Sequence, residues 1–281
     1  MARLIFIIGE HGSGKTRSLK DLDPRETIII KPNGKPLSFR GYAKKYKLNK
    51  NLFIRNEFKQ VGALLNTVNK AVKIKNVIIE DLTHFFTKRV IDERKAVGYS
   101  KWTELAASFK IHVLDKEIAL RSDLNIIVIG HTSRSKFTGK VTLETPGNYL
   151  EKSVKVPSYA TYMFHTDLLE DEGTGRMVYR FLTNETKHKN AKSPEGVFED
   201  LYIPNNLEYA LRHIIAYENG EDDVSLKGIQ EKSFKVPQEH SMEGAVFISE
   251  DVSDMVNSTI EEEVNTDEED ADVEEDIELS I

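Results

Sequence analysis

Short unbroken apolar runs alternate with stretches of helical periodicity along this chain. Residues 3–8, 26–30, 52–54, 77–79 and 125–129 are rich in Ile, Val, Leu and Phe and lack the polar alternation of a half-exposed strand. They are expected as strands covered on both faces. Between them lie segments with apolar positions at helical spacing. The clearest is 58–72, where Val61, Leu64, Leu65, Val68 and Val72 share one face. Helices are also expected over about 15–20, closing near Asp23-Pro24, and over 85–97, 102–120 and 207–216. Two more strands, 161–168 and 177–182, flank the turn-forming run Asp171-Glu172-Gly173-Thr174-Gly175 and read as an antiparallel pair. Residues 31–36 and 133–157 read as polar, irregular connections.

Buried strands alternating with helices imply an α/β domain. Its sheet is expected to be mostly parallel, with helices on both faces and the late strand pair as an antiparallel edge hairpin. A chain of 281 residues can bury a full core. The expected division is one α/β domain over 1–218, a linker over 219–248 and an acidic tail over 249–281. The tail is too acidic and too poor in large apolar residues to hold structure alone, so it is expected to be disordered.

Charge divides within that linker. The last basic residue is Lys235, and residues 236–281 carry 17 acidic side chains and no Lys or Arg. Residues 1–235 therefore hold 39 basic groups against 29 acidic ones (46 less 17), giving a body of +10 and a tail of −17. A basic body fits a polyanionic partner, and an acidic tail can compete for the same surface or serve only solubility. The absence of cysteine excludes disulfides and thiolate zinc sites and fits a reducing cytoplasm. The histidines lack metal-ligand spacing such as H-E-x-x-H. No apolar run approaches the ~20 residues a membrane span needs, and the chain opens on a strand and not on a signal region. A cytoplasmic location follows as the expectation.

The first strand runs into Gly9-Glu10-His11-Gly12-Ser13-Gly14-Lys15-Thr16, which fits G-x-x-x-x-G-K-[ST] at every fixed position. The chemistry explains the residue types. A triphosphate needs many donors at close range. Glycines let the backbone wrap so that successive N–H groups point inward, with a helix N-terminus expected behind them. Lys15 is placed to reach the outer phosphates, and the Thr16 hydroxyl to bind Mg²⁺. Hydrolysis needs more: a carboxylate for the metal and a group that orients water. Glu80 and Asp81 end the apolar run 77–79, where sites of open α/β sheets lie. One is expected to hold Mg²⁺ and the other to position or activate water; adjacent strand residues point to opposite sides, so both need not reach the phosphates. His131 closes the run 125–129 and is a candidate contact for the γ-phosphate or the attacking water. The candidate catalytic set is thus Lys15, Glu80, Asp81 and His131.

On these residues the chain resembles the RecA-like P-loop ATPases of the AAA-type family found in bacteriophage genomes, which includes recombinases that promote single-strand annealing. The resemblance rests on Gly9 to Thr16, the strand end Val77 to Thr83, the helix start around Tyr99, Lys101 and Trp102, the strand Ile126 to His131, and the late hairpin. It spans roughly residues 1–200 and implies a RecA-like fold, Mg²⁺-dependent ATP hydrolysis, self-association into rings or filaments, and single-stranded DNA as partner in recombination or replication. The usual order of the two carboxylates is Asp then Glu. Here it is reversed, which leaves their roles open.

In RecA-like proteins the segments after the later strands face nucleic acid. Here 133–157 carries Arg134, Lys136, Lys140, Lys152 and Lys155 with Phe137 and Tyr149, a mixture of cations for phosphates and rings for unpaired bases. A second basic stretch, 40–59, holds Arg40, Lys44, Lys45, Lys47, Lys50, Arg55 and Lys59 with Tyr42 and Tyr46 interleaved. The run 187–192 is a candidate source of a cation for a neighbouring subunit's γ-phosphate. Two further function classes share the nucleotide site: an assembly or helicase-loader ATPase acting on protein, and a small-molecule kinase, which the scarcity of arginine in 133–157 disfavours.

Overall fold

The computed structural model describes residues 1–92, 100–146, 150, 154–171 and 175–221. Most of the expected linker, the whole acidic tail, Tyr99, Tyr149 and Lys152 lie outside these residues. Among them, nine strands form one sheet. They are β1 (Arg3–Gly9), β2 (Thr27–Lys31), β3 (Leu52–Ile54), β4 (Asn76–Ile79), β5 (Asn125–Arg134), β6 (Val141–Leu143), β7 (Tyr162–Glu170), β8 (Met177–Leu182) and β9 (Tyr202–Pro204). The order is β3-β2-β4-β5-β1-β7-β8-β9, with β6 paired to the end of β5. From β3 to β7 every pairing is parallel; β7–β8, β8–β9 and β5–β6 are antiparallel. The fold is the mostly parallel α/β sheet with an antiparallel edge that the apolar runs imply.

Strand periodicity builds two cores from one sequence. In β1, Leu4, Phe6 and Ile8 face one side and Ile5 and Ile7 the other. The same split runs through Ile28/Ile29, Val77/Ile78 and Ile126/Ile127. The first face is covered by helices α2 (Phe58–Lys70), α3 (Leu82–Asp92) and α4 (Ser100–Phe109). There Phe58 stacks on Phe85 at 5.5 Å and meets Phe109 at 4.9 Å between ring centres. The second face is covered largely by the last helix of the described chain, Leu207–Glu218, through Leu207, Ala210, Leu211 and Ile214. Asn206 caps that helix by accepting the Tyr209 N–H at 3.2 Å. Each such fully buried aliphatic or aromatic side chain contributes roughly 1.5–3 kcal/mol, so covering both faces fixes the sheet firmly.

Several expectations are corrected. The segment after the glycine-rich loop is only a four-residue 3₁₀ turn, Thr16–Leu19, and not a longer helix. Helix α2 stops at Lys70, so Val72 is exposed instead of closing the apolar face. The expected helix 85–97 starts earlier, at Leu82; residues 93–99 lie outside the description. The single helix expected over 102–120 is broken by a π turn, Lys110–Leu114, before the short α5 (Lys116–Ala119). His112 of that turn packs against Gly62 of α2, where a Cβ would approach its ring at 3.0 Å. Residues 133–157 are not wholly irregular: β5 continues past His131 to Arg134 and turns back as β6. Gly130 makes this possible, since a side chain there would run into Leu143 of β6. The short helix α1 (Tyr42–Lys45) and strand β9 were not anticipated, being too brief to leave a periodic signal.

Candidate active site

The parallel sheet brings the carboxyl ends of β1, β4 and β5 to one edge, with the end of β2 beside them. Gly9 of β1 is in register with His131 of β5, and Ile79 of β4 with Val128. The glycine-rich loop after β1, the pair Glu80-Asp81 after β4, and His131 therefore converge. They line a cavity of about 360 Å³ with Lys31, Asn33 and Tyr179, within the ~300–1,000 Å³ common for ligand pockets.

Loop geometry depends on glycine at identifiable points. Gly12 and Gly14 have φ of 76° and 97°, which side-chain-bearing residues rarely adopt. At Gly9 a Cβ would collide with the Thr166 hydroxyl of β7. That hydroxyl pairs with Ser13 Oγ at 2.5 Å and donates to Ile8 O at 3.1 Å, so β7 braces the loop from behind. Of the other loop residues, Glu10 offers its carbonyl inward to Lys15 and Ser13, and the His11 ring lies against His131, 3.9 Å between centres.

Lys15 is buried under the loop. Its Nζ donates to Gly9 O at 2.8 Å and Glu10 O at 2.7 Å, and stands 3.2 Å from His131 Nδ1. Burial pushes its ammonium down to about 8, against the pull of Asp81, Glu80 and Glu10. The same burial, followed by the charge of Lys15 and then His11, holds His131 down to about 4. His131 is thus a neutral ring at pH 7, with Nδ1 free to accept from Lys15.

The two carboxylates take different places. Thr16 Oγ1 donates to Glu80 Oε1 at 2.8 Å, and Lys31 Nζ lies 3.5 Å from Glu80 Oε2. Asp81 has a φ of 66°, unusual for a residue with a side chain. Its Oδ2 accepts from Asn33 Nδ2 at 3.4 Å, and its Oδ1 lies 3.9 Å from His131 Nε2. A hydroxyl and a carboxylate oxygen side by side are hard oxygen donors of the kind Mg²⁺ takes. Sequence reasoning missed Lys31, which is 2 % exposed and also donates to Lys35 O at 2.6 Å. A charged residue ending an otherwise apolar strand was the available signal. It also missed Tyr179 of β8 and Arg17, which enclose the loop from the hairpin side.

The basic residues sort differently. Lys136 is exposed in the turn of the β5–β6 hairpin; Arg134 donates to Gly139 O at 2.6 Å, Lys140 pairs with Glu185 at 2.9 Å, and Lys155 sits at a φ of 52°. In the other stretch Tyr46 is buried in the core, Lys45 donates to Lys20 O and Arg55 packs on Phe53, so much of this segment is structural. Arg40 and Lys44 are exposed. In 187–192, Lys189 pairs with buried Asp167 at 2.5 Å and Lys192 donates to Ala160 O at 2.8 Å. These two cations are engaged within their own chain.

No family model matches the chain, and no curated protein matches it. Among solved structures it is similar to a KaiC-like protein from the hyperthermophilic archaeon Pyrococcus horikoshii OT3. The two share 15% sequence identity over 68% of this chain and 82% of that one, with a TM-score of 0.37. Among the described residues no helix is long and apolar enough to cross a membrane.

Proposed function

We propose that this chain binds ATP with Mg²⁺ and hydrolyses it, and that it couples the cycle to single-stranded DNA in recombination or replication. The observation that carries the nucleotide reading is the hydrogen bond from Thr16 to Glu80. It joins the loop after β1 to the carboxylate after β4, the pairing a magnesium-phosphate site requires. Thr16 and Glu80 would hold the metal, which supplies charge neutralisation at the phosphates. The loop amides and Lys15 bind and orient the phosphate chain. Asp81, turned toward His131 and Asn33, is placed to accept a proton from water. Neutral His131 offers its ring to a phosphate oxygen or that water. On this reading Glu80 is the metal ligand and Asp81 the water-activating group.

The DNA reading is supported by the +10 body and by the β5–β6 hairpin, which carries Arg134, Lys136 and Lys140 with Phe137 at its tip, 49% exposed. Assembly into rings or filaments would give the hairpins a continuous track. The decisive experiment is ATP turnover with and without single-stranded DNA, alongside calorimetric ATP binding. Lys15→Ala is expected to abolish binding. Asp81→Asn should bind Mg-ATP with turnover reduced at least 100-fold, and Glu80→Gln should lose the magnesium dependence of binding. Turnover that DNA leaves unchanged would favour an assembly ATPase acting on protein, and an absence of ATP binding would end the nucleotide reading.

A further inference from the structure

The Arg17 guanidinium lies over the Tyr179 ring, 4.8 Å from its centre. That ring in turn packs on the backbone of Gly14, where a Cβ would come within 2.6 Å of its Cδ1. Both side chains line the cavity that holds Lys15 and Thr16. Arg17 directly follows Thr16 and Tyr179 packs on Gly14, so the pair borders the Gly14-to-Thr16 end of the loop. A planar cation over a ring is the surface on which heteroaromatic bases stack. Tyr179 is brought there by the antiparallel hairpin, being opposite Leu168 in the β7–β8 register.

We propose that Arg17 and Tyr179 form the base-binding platform of the nucleotide site, and that this platform selects purine over pyrimidine nucleotides by stacked area. The proposal rests on the nucleotide reading above and adds the class of base. Stacking on one platform contributes about 1–3 kcal/mol per base, which is roughly a 5- to 150-fold gain of a nucleotide over a bare polyphosphate; the larger purine ring takes the greater share. A stacked surface responds to ring area more than to exocyclic groups, so ATP and GTP are expected to bind within a few-fold of each other.

The test is equilibrium binding of the full chain in magnesium buffer to ATP, GTP, CTP, UTP and inorganic tripolyphosphate. Both purine nucleotides should bind at least about fivefold tighter than tripolyphosphate and measurably tighter than the pyrimidine nucleotides. Tyr179→Ala should erase that advantage while leaving tripolyphosphate affinity within twofold; Arg17→Ala should erase the purine-to-pyrimidine ratio, with any change its lost charge makes to tripolyphosphate shared equally by all four nucleotides. Tyr179→Phe, which keeps the ring, should retain it. If purines hold no advantage in the unaltered protein, or if Tyr179→Ala weakens tripolyphosphate as much as ATP, the platform is overturned; the ring then only props the loop. Tripolyphosphate failing to bind the unaltered protein would instead strike at the phosphate site itself and take the platform with it.

Discussion

His165 and His213 are two buried imidazoles outside the candidate site. Burial lowers the pKa of each below its ordinary 6.5. His213 Nδ1 donates to Tyr209 O at 3.0 Å, and its Nε2 has no hydrogen-bond partner among the described residues. The sign follows directly. Below pH 6.5 the unfolded chain takes up protons that the folded chain resists, so these residues favour the fold above that pH and lose their contribution as pH falls through it. Urea unfolding midpoints should therefore drop between pH 7 and pH 5. In His213→Phe, which preserves a ring against Tyr209 and Phe198, that drop should be shallower. An identical slope would show that His213 resists no proton. Nothing in the local sequence marks these histidines, since burial is what alters them. At Lys15 the residue type and its spacing do carry an expectation, because a lysine between Gly14 and Thr16 closes a glycine-rich loop after an apolar run.

At the scale of elements, adjacent strands decide which side chains meet. β2 and β4 pair in parallel with Ile30 opposite Ile79, so the next residues, Lys31 and Glu80, fall together at the same edge. Neither strand's own pattern reveals that pairing. Lys31→Met keeps the volume and removes the ammonium, leaving the Lys35 carbonyl without its donor and Glu80 without its cation. A loss of about 2 kcal/mol is expected. Part of it should be recovered in millimolar Mg²⁺, because a divalent ion can replace the missing charge on Glu80. Chemical unfolding with and without magnesium measures both effects, and an unaltered stability in metal-free buffer would remove Lys31 from this role. The 3₁₀ turn after the loop and the π turn in the α4 region escape pattern reading for a related reason. Apolar spacing specifies a buried face, and several helical geometries satisfy it over so few residues.

For the whole molecule the governing quantity is the charge division between body and tail. Residues 249–281 hold 15 of the 17 acidic side chains that follow Lys235, the other two being Glu239 and Glu243. If the tail competes with DNA for the basic body, deleting 249–281 should tighten single-stranded DNA binding several-fold at low salt. It should also steepen the fall of affinity with salt, since more of the body's cations are then free to displace counterions from the strand. Fluorescence anisotropy across a salt series reads both. Equal affinities and equal slopes would leave the tail with solubility as its physical role.

What the sequence by itself determined was the local and the periodic. Apolar runs placed the main strands because a strand buried on both faces must be apolar throughout, and the glycine-lysine-threonine spacing singled out the loop proposed to bind phosphate because such chemistry is carried by consecutive residues. Helix breaks, the β5–β6 hairpin, the bond from Thr16 to Glu80, and the gathering of Lys31, Arg17 and Tyr179 around the loop were decided by tertiary structure. Strand order and register bring residues tens of positions apart into contact, and such long-range pairings leave no mark on the sequence near either partner.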